Sequence, residues 1–152
     1  DFWFPYHEAL GALLDEAHSS FGEAILIDCH SMPHEAIESA ATRGTPHPEI
    51  VLGDRFGAAA APEVVERVEA AFKAAGLRVV HNTPFAGAHT AQHYGRPSRR
   101  QHVVQVEIDR SLYMNEKTVE PNADYDAFRA VLGQVVADVA AIGRADLPLA
   151  AE

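Results

Sequence analysis

The chain has 152 residues, 12 Lys+Arg against 22 Asp+Glu, and a formal charge of −10 with neutral histidines. A chain of this size buries roughly 70% of its unfolded surface, so one domain, or part of a larger one, needs no staples, and the lone Cys29 excludes a disulfide framework. The acidity argues against nucleic acid or an anionic membrane as a partner; no run nears the roughly 20 apolar residues of a membrane span, and Asp1-Phe2-Trp3-Phe4-Pro5 lacks a cationic leader, so a reducing, cytoplasmic location is expected.

Residues 5–18 place Ala9, Leu10, Leu13, Leu14 and Ala17 at the i, i+3, i+4 recurrence of one helical face, which predicts a first helix. Residues 24–29 form a short β-branched apolar run opened by Gly22, the pattern of a buried strand. A stretch rich in Pro, His and small residues then reads as a loop from Ser31 to about Glu49. Residues 50–52 predict a very short strand, and Gly53-Asp54-Arg55-Phe56-Gly57 a turn. Residues 62–75 predict a helix with Pro62 in its first turn and Gly76 just past its end. Residues 77–81 and 103–109 predict two more strands, joined by a long loop containing Pro84, Gly87, Gly95 and Pro97. The last helix is expected from about Tyr125 to Ile142, capped by Asn122 or Asp124 and closed by Gly143.

Strands separated by helices of this length predict one α/β domain over residues 1–152 with a largely parallel sheet. In such sheets ligands sit beyond the carboxyl ends of the strands. Charge is uneven along the chain. Residues 70–106 hold no Asp or Glu but include Lys73, Arg78, Arg96, Arg99 and Arg100 with His81, His89, His93 and His102; the remainder carries 7 − 22 = −15. A cationic segment in an acidic chain suits a small anionic ligand held in a site, and a chance gap in acids over a surface loop accounts for it equally.

Three constellations carry possible chemistry. In Asp28-Cys29-His30-Ser31, strand alternation puts Asp28 and His30 on one face and Cys29 with Ile25 and Ile27 on the other, which disfavours a Cys29–His30 nucleophilic pair. An imidazole at a strand end is a frequent metal ligand, oriented by a nearby carboxylate; taken alone, His30 reads as a loop histidine making a hydrogen bond. In Gln105-Val106-Glu107-Ile108-Asp109-Arg110, residues Gln105, Glu107 and Asp109 share a face opposite Val104, Val106 and Ile108. A carboxylate there can act as a general base toward water; taken alone, Glu107 fits the solvated face of an edge strand. In the 82–102 loop, His89 and His93 have the i, i+4 spacing of a metal pair, but Gly87 and Gly95 leave room for barely two turns. Arg96 is the better candidate for gripping a carboxylate with two parallel hydrogen bonds, whereas Arg99 and Arg100 read as surface arginines.

Leu26-Ile27-Asp28-Cys29-His30-Ser31-Met32-Pro33, Ile50-Val51-Leu52-Gly53-Asp54-Arg55-Phe56-Gly57, Pro84-Phe85-Ala86-Gly87, His93-Tyr94-Gly95-Arg96-Pro97 and Gln105-Val106-Glu107-Ile108-Asp109-Arg110-Ser111-Leu112-Tyr113-Met114 occur in one order. Together with Pro5-Tyr6-His7 they resemble the N-formylglutamate amidohydrolase family from about Pro5 to Met114. The resemblance implies a three-layer α/β sandwich with a mixed, largely parallel sheet flanked by helices, like that of zinc carboxypeptidases. It implies zinc-dependent hydrolysis of the amide in a small anionic N-acyl amino acid such as N-formylglutamate, zinc activating a water. It makes His30 a zinc ligand and Glu107 the general base, and it places Arg55, Arg96, Asn82 and His93 against the substrate. The family's other two zinc ligands come from a segment upstream of these blocks, so the chain is expected to be the carboxyl-terminal part of a larger catalytic domain. His89 stands where the family usually has an aromatic residue, and Gln92 where it often has arginine. The alternatives are an inactive relative that binds an anionic metabolite or a partner protein, and a zinc deacylase or peptidase with another substrate.

Overall fold

A computed structural model of the chain describes residues 2–40 and 47–145. Helix α1 (Trp3–Phe21) outruns the apolar pattern that predicts it at both ends and stops at Gly22, whose left-handed φ of 71° lets its N–H return to the His18 carbonyl. Strand β1 (Ala24–Met32) follows and is longer than its apolar run, because Asp28, His30 and Ser31 continue the extended backbone. The stretch expected to be a loop after Ser31 contains helix α2 (His34–Ala40) instead. Residues 41–46 of that expected loop lie outside the described residues.

Strand β2 (Ile50–Gly53) leads through the 54–57 turn to helix α3 (Pro62–Ala74), which buries Val64, Val65, Val68, Ala71 and Phe72. Strand β3 (Val79–His81), helix α4 (His89–Tyr94), a single 3-10 turn (Pro97–Arg99) and strand β4 (Gln101–Asp109) come next. A two-stranded hairpin of β5 (Met114–Asn115) and β6 (Glu120–Pro121) precedes helix α5 (Tyr125–Ala145). Gly143 does not close α5; it is carried inside the helix, where a glycine is tolerated at modest cost. Among the described residues no helix is long and apolar enough to cross a membrane.

The main sheet has the order β1-β4-β2-β3. β1 pairs β4 in parallel and β2 pairs β3 in parallel, while β2 joins β4 antiparallel, so the sheet is mixed and mostly parallel. Its two faces are both covered. One presents Ile50, Leu52, Val104, Val106 and Ile108 to α3 and α5, and the other packs Ala24 and Val103 against Leu14 of α1 and Ala91 and Tyr94 of α4. Met32 and Val51 meet Ile37 of α2 on that second face. The outcome is a three-layer α/β sandwich. Strand β4 is internal, and every residue from His102 to Asp109 is buried, so Glu107 does not sit on a solvated edge.

Candidate active site

Burying an ionisable group costs free energy unless partners compensate, which makes β4 chemically unusual. Gln105, Glu107 and Asp109 all lie under 10% exposed on one face of an internal strand. The parallel register sets Asp28 beside Gln105, His30 beside Glu107 and Met32 beside Asp109. The alternation read from the sequence therefore holds on both strands, and it brings the candidate ligand and the candidate base onto adjacent strands of one sheet face.

Each of these side chains has identifiable company. His30 Nε2 lies 3.1 Å from Asp28 Oδ1, and about two-fifths of the His30 side chain is open to solvent. The second oxygen, Asp28 Oδ2, is the one buried side-chain polar atom among the described residues without a hydrogen-bond partner. Glu107 accepts a 2.9 Å hydrogen bond at Oε1 from Gln105 Nε2. Burial raises the Glu107 pKa above the usual carboxylate value, with Asp28 adding to it; the nearby His30, the Gln105 hydrogen bond and Arg110 oppose the rise. Asp109 is occupied otherwise, for its Oδ2 meets His34 Nδ1 at 2.8 Å and its Oδ1 accepts the Ser111 N–H.

The 53–57 turn approaches from β2, whose Gly53 pairs Gln105 across the antiparallel ladder. Arg55 and Phe56 both take positive φ, and the turn is held by a reciprocal pair. Asn82 donates from Nδ2 to Asp54 Oδ1 at 2.7 Å, and its own Oδ1 accepts from the Asp54 and Phe56 N–H groups. Asp54 Oδ2 accepts from Gly57 N–H. The Arg55 N–H donates to the Ala86 carbonyl, and its guanidinium reaches the Gly87 carbonyl at 3.4 Å. Gly53 permits this approach: a Cβ there would lie 2.6 Å from the Gly87 nitrogen. Asn82 is thus committed to the turn that presents Arg55.

His93 lies on α4, and Arg96, just past the end of that helix, pairs with Gln101 at the start of β4, the opposite end of the strand from Glu107. His93 stacks on His89 with ring centroids 5.3 Å apart and lies edge-on to Tyr94, while Tyr94 bonds His7 of α1. The Arg96 guanidinium donates to the Gln92 and Gly95 carbonyls at the end of α4. The cationic segment of the sequence does not form one surface. Lys73 pairs with Glu69, Arg78 with Glu49, and Arg100 with Glu23, at different places on the molecule. Arg110, Tyr113, Tyr125 and Arg129, which sequence reasoning passed over, join His30, Cys29 and Ile108 around a cleft of about 610 Å³ that opens toward α5. Arg110 is tied to the Ser31 hydroxyl and carbonyl. Its place directly after the Glu107–Asp109 strand end is the signal that could have found it.

The donor set near His30 suits one position in a metal's coordination sphere. An imidazole whose one nitrogen is held by a carboxylate leaves the other free for a cation, and the neighbouring Asp28 Oδ2 has no hydrogen-bond partner of its own. Among the described residues no three His, Cys, Asp or Glu side chains converge as a complete site.

A sequence model of the N-formylglutamate amidohydrolase family matches residues 1–114. The N-formylglutamate deformylase of Pseudomonas aeruginosa is 34% identical over 151 residues, covering 93% of this chain and 53% of that protein. The protein of the same name from Pseudomonas putida is 36% identical over 121 residues, covering 75% of this chain and 42% of its own length. Among solved structures, the N-formylglutamate amidohydrolase from Ralstonia eutropha JMP134 superposes with a TM-score of 0.79 at 32% identity, covering 93% of this chain and 50% of that one. The chain thus spans about half the length of the curated relatives it matches.

Proposed function

The chain belongs to the N-formylglutamate amidohydrolase family, and from that premise we propose that it carries the proton-transfer side of a hydrolytic site. That site removes an acyl group, formyl first among them, from a small anionic N-acyl amino acid such as N-formylglutamate. The observation that carries this reading is Glu107, a buried carboxylate one strand away from His30 on the same sheet face.

His30 would hold a zinc ion as one of its ligands, since a carboxylate-backed imidazole is a nitrogen donor that zinc favours. When bound, zinc would supply Lewis-acid polarisation of the acyl carbonyl. Glu107 takes a proton from the attacking water as the water oxygen bonds to the acyl carbon. It then delivers that proton to the amine nitrogen as the C–N bond breaks, leaving formate and glutamate from N-formylglutamate. A base of this kind works best with a pKa nearer neutrality than an exposed carboxylate has, and burial moves Glu107 in that direction. Arg55 meets a substrate carboxylate, and Asp54 and Asn82 hold the turn that presents it.

Formate release tests the proposal. The protein is stripped with a chelator, reloaded with zinc and offered N-formylglutamate beside its N-acetyl and N-succinyl analogues. Zinc-restored release of formate supports it, whereas no release together with no stoichiometric zinc by metal analysis rejects it.

A further inference from the structure

We propose that Gln105 is a positioning residue that couples the general base to the loop presenting the substrate-binding arginine. The inference rests on the amidohydrolase reading of Glu107 and deepens it. Gln105 is 3% exposed and makes two hydrogen bonds in opposite directions. Its Nε2 donates to Glu107 Oε1 at 2.9 Å, and its Oε1 accepts the Ala88 N–H at 2.7 Å. The orientation of the amide is determined by chemistry, because a carboxylate can only accept and a backbone N–H can only donate.

Ala88 follows directly on the Ala86-Gly87 segment, whose carbonyls hold the Arg55 backbone and guanidinium. One side chain therefore joins the carboxylate on β4 to the segment that cradles Arg55. The join needs both ends of an amide of glutamine length. A base and a substrate clamp that must act on one small molecule require a fixed separation, and rates fall steeply when that separation drifts. Gln105 also gives Glu107 a donor in a buried setting, which keeps its carboxylate aimed without placing a second charge beside it.

Two variants separate this role from plain packing. Gln105→Met keeps the volume and removes both hydrogen bonds; Gln105→Glu keeps the acceptor for Ala88 but replaces the neutral amide donor to Glu107 with a second carboxyl that competes with Glu107 for a proton. Backbone amide exchange at Ala88, read by NMR, is expected to speed up on the order of tenfold or more in Gln105→Met and to stay near wild type in Gln105→Glu. In the zinc-loaded protein both variants are expected to lower kcat for N-formylglutamate on the order of tenfold to a hundredfold, with KM changed less than kcat. The proposal is overturned if Gln105→Met leaves Ala88 exchange at the wild-type rate, or if it leaves kcat unchanged while Ala88 exchange rises. If wild-type protein releases no formate, the amidohydrolase reading fails, and Ala88 exchange alone still accepts or rejects the Gln105 link.

Discussion

His30 and Glu107 are register partners on the parallel strands β1 and β4. Neighbouring strands lie about 4.8 Å apart, and residues paired in register point to the same side, so an imidazole and a carboxylate are held side by side with no loop between them. Parallel pairing also brings the carboxyl ends of both strands to one end of the sheet, where ligands of α/β proteins gather.

Replacing Glu107 with Gln keeps the shape and an acceptor for Gln105 but removes the base. Zinc content is expected to stay at the wild-type level while formate release falls on the order of a hundredfold or more. Replacing His30 with Ala should instead lower zinc content itself. Metal analysis on both variants checks the assignment; a Glu107→Gln variant that turns over normally removes Glu107 from the base role.

Gly53→Ala is expected to destabilise the fold by about 2 kcal/mol or more, because the added Cβ meets backbone rather than a flexible side chain. The atoms in its way are the Gly87 nitrogen at 2.6 Å and the Ala86 carbonyl carbon at 2.7 Å. Urea unfolding measures the loss, and an unchanged midpoint would contradict the close approach of β2 to the 86–87 segment.

Much of this was readable from the chain. Period-two alternation placed Asp28 with His30 and Gln105 with Glu107 because a strand's faces are a local property. The pairing of β1 with β4 was not readable, since it joins segments more than seventy residues apart and turns a supposed edge into an internal strand. Helix α2 was hidden by the prolines and histidines around it, and α5 continues through Gly143 because packing outweighs the weak propensity of one glycine. The cationic segment left two readings open for a related reason: its arginines find partners such as Glu23 and Glu49 that sequence distance conceals. Asn82, expected against the substrate, has a side chain engaged in the 53–57 turn, a fact visible only once β2 and β3 are side by side.

Asn82→Asp tests that engagement. The substitution keeps the acceptor for the Asp54 and Phe56 N–H groups and tolerates the positive φ, but it turns the donor facing Asp54 into a second carboxylate. Stability at pH 7 is expected to fall by about 3 kcal/mol. The deficit should shrink at pH 5, where one of the two facing carboxyls takes up a proton more readily. A residue whose side chain served only to touch substrate would change KM and leave the unfolding midpoint alone.

The His34–Asp109 pair gives the fold a pH dependence of definite sign. The hydrogen bond to Asp109 raises the His34 pKa above its ordinary value, the charges of Asp109, Glu38 and Glu116 add to the rise, and partial burial opposes it; the His47 ring lies 6.0 Å away. A histidine whose folded pKa is raised stabilises the fold fully below its unfolded value of about 6.5 and loses that contribution as pH climbs through the folded value. The stability difference between wild type and His34→Gln should therefore be largest near pH 5.5 and shrink toward pH 9. Because 35% of the His34 side chain is exposed, solvent screening holds the change to under about 1 kcal/mol. Urea unfolding of both proteins across that range measures it. A difference that grows with pH would mean that protonated His34 is disfavoured in the fold and that Asp109 is not its stabilising partner.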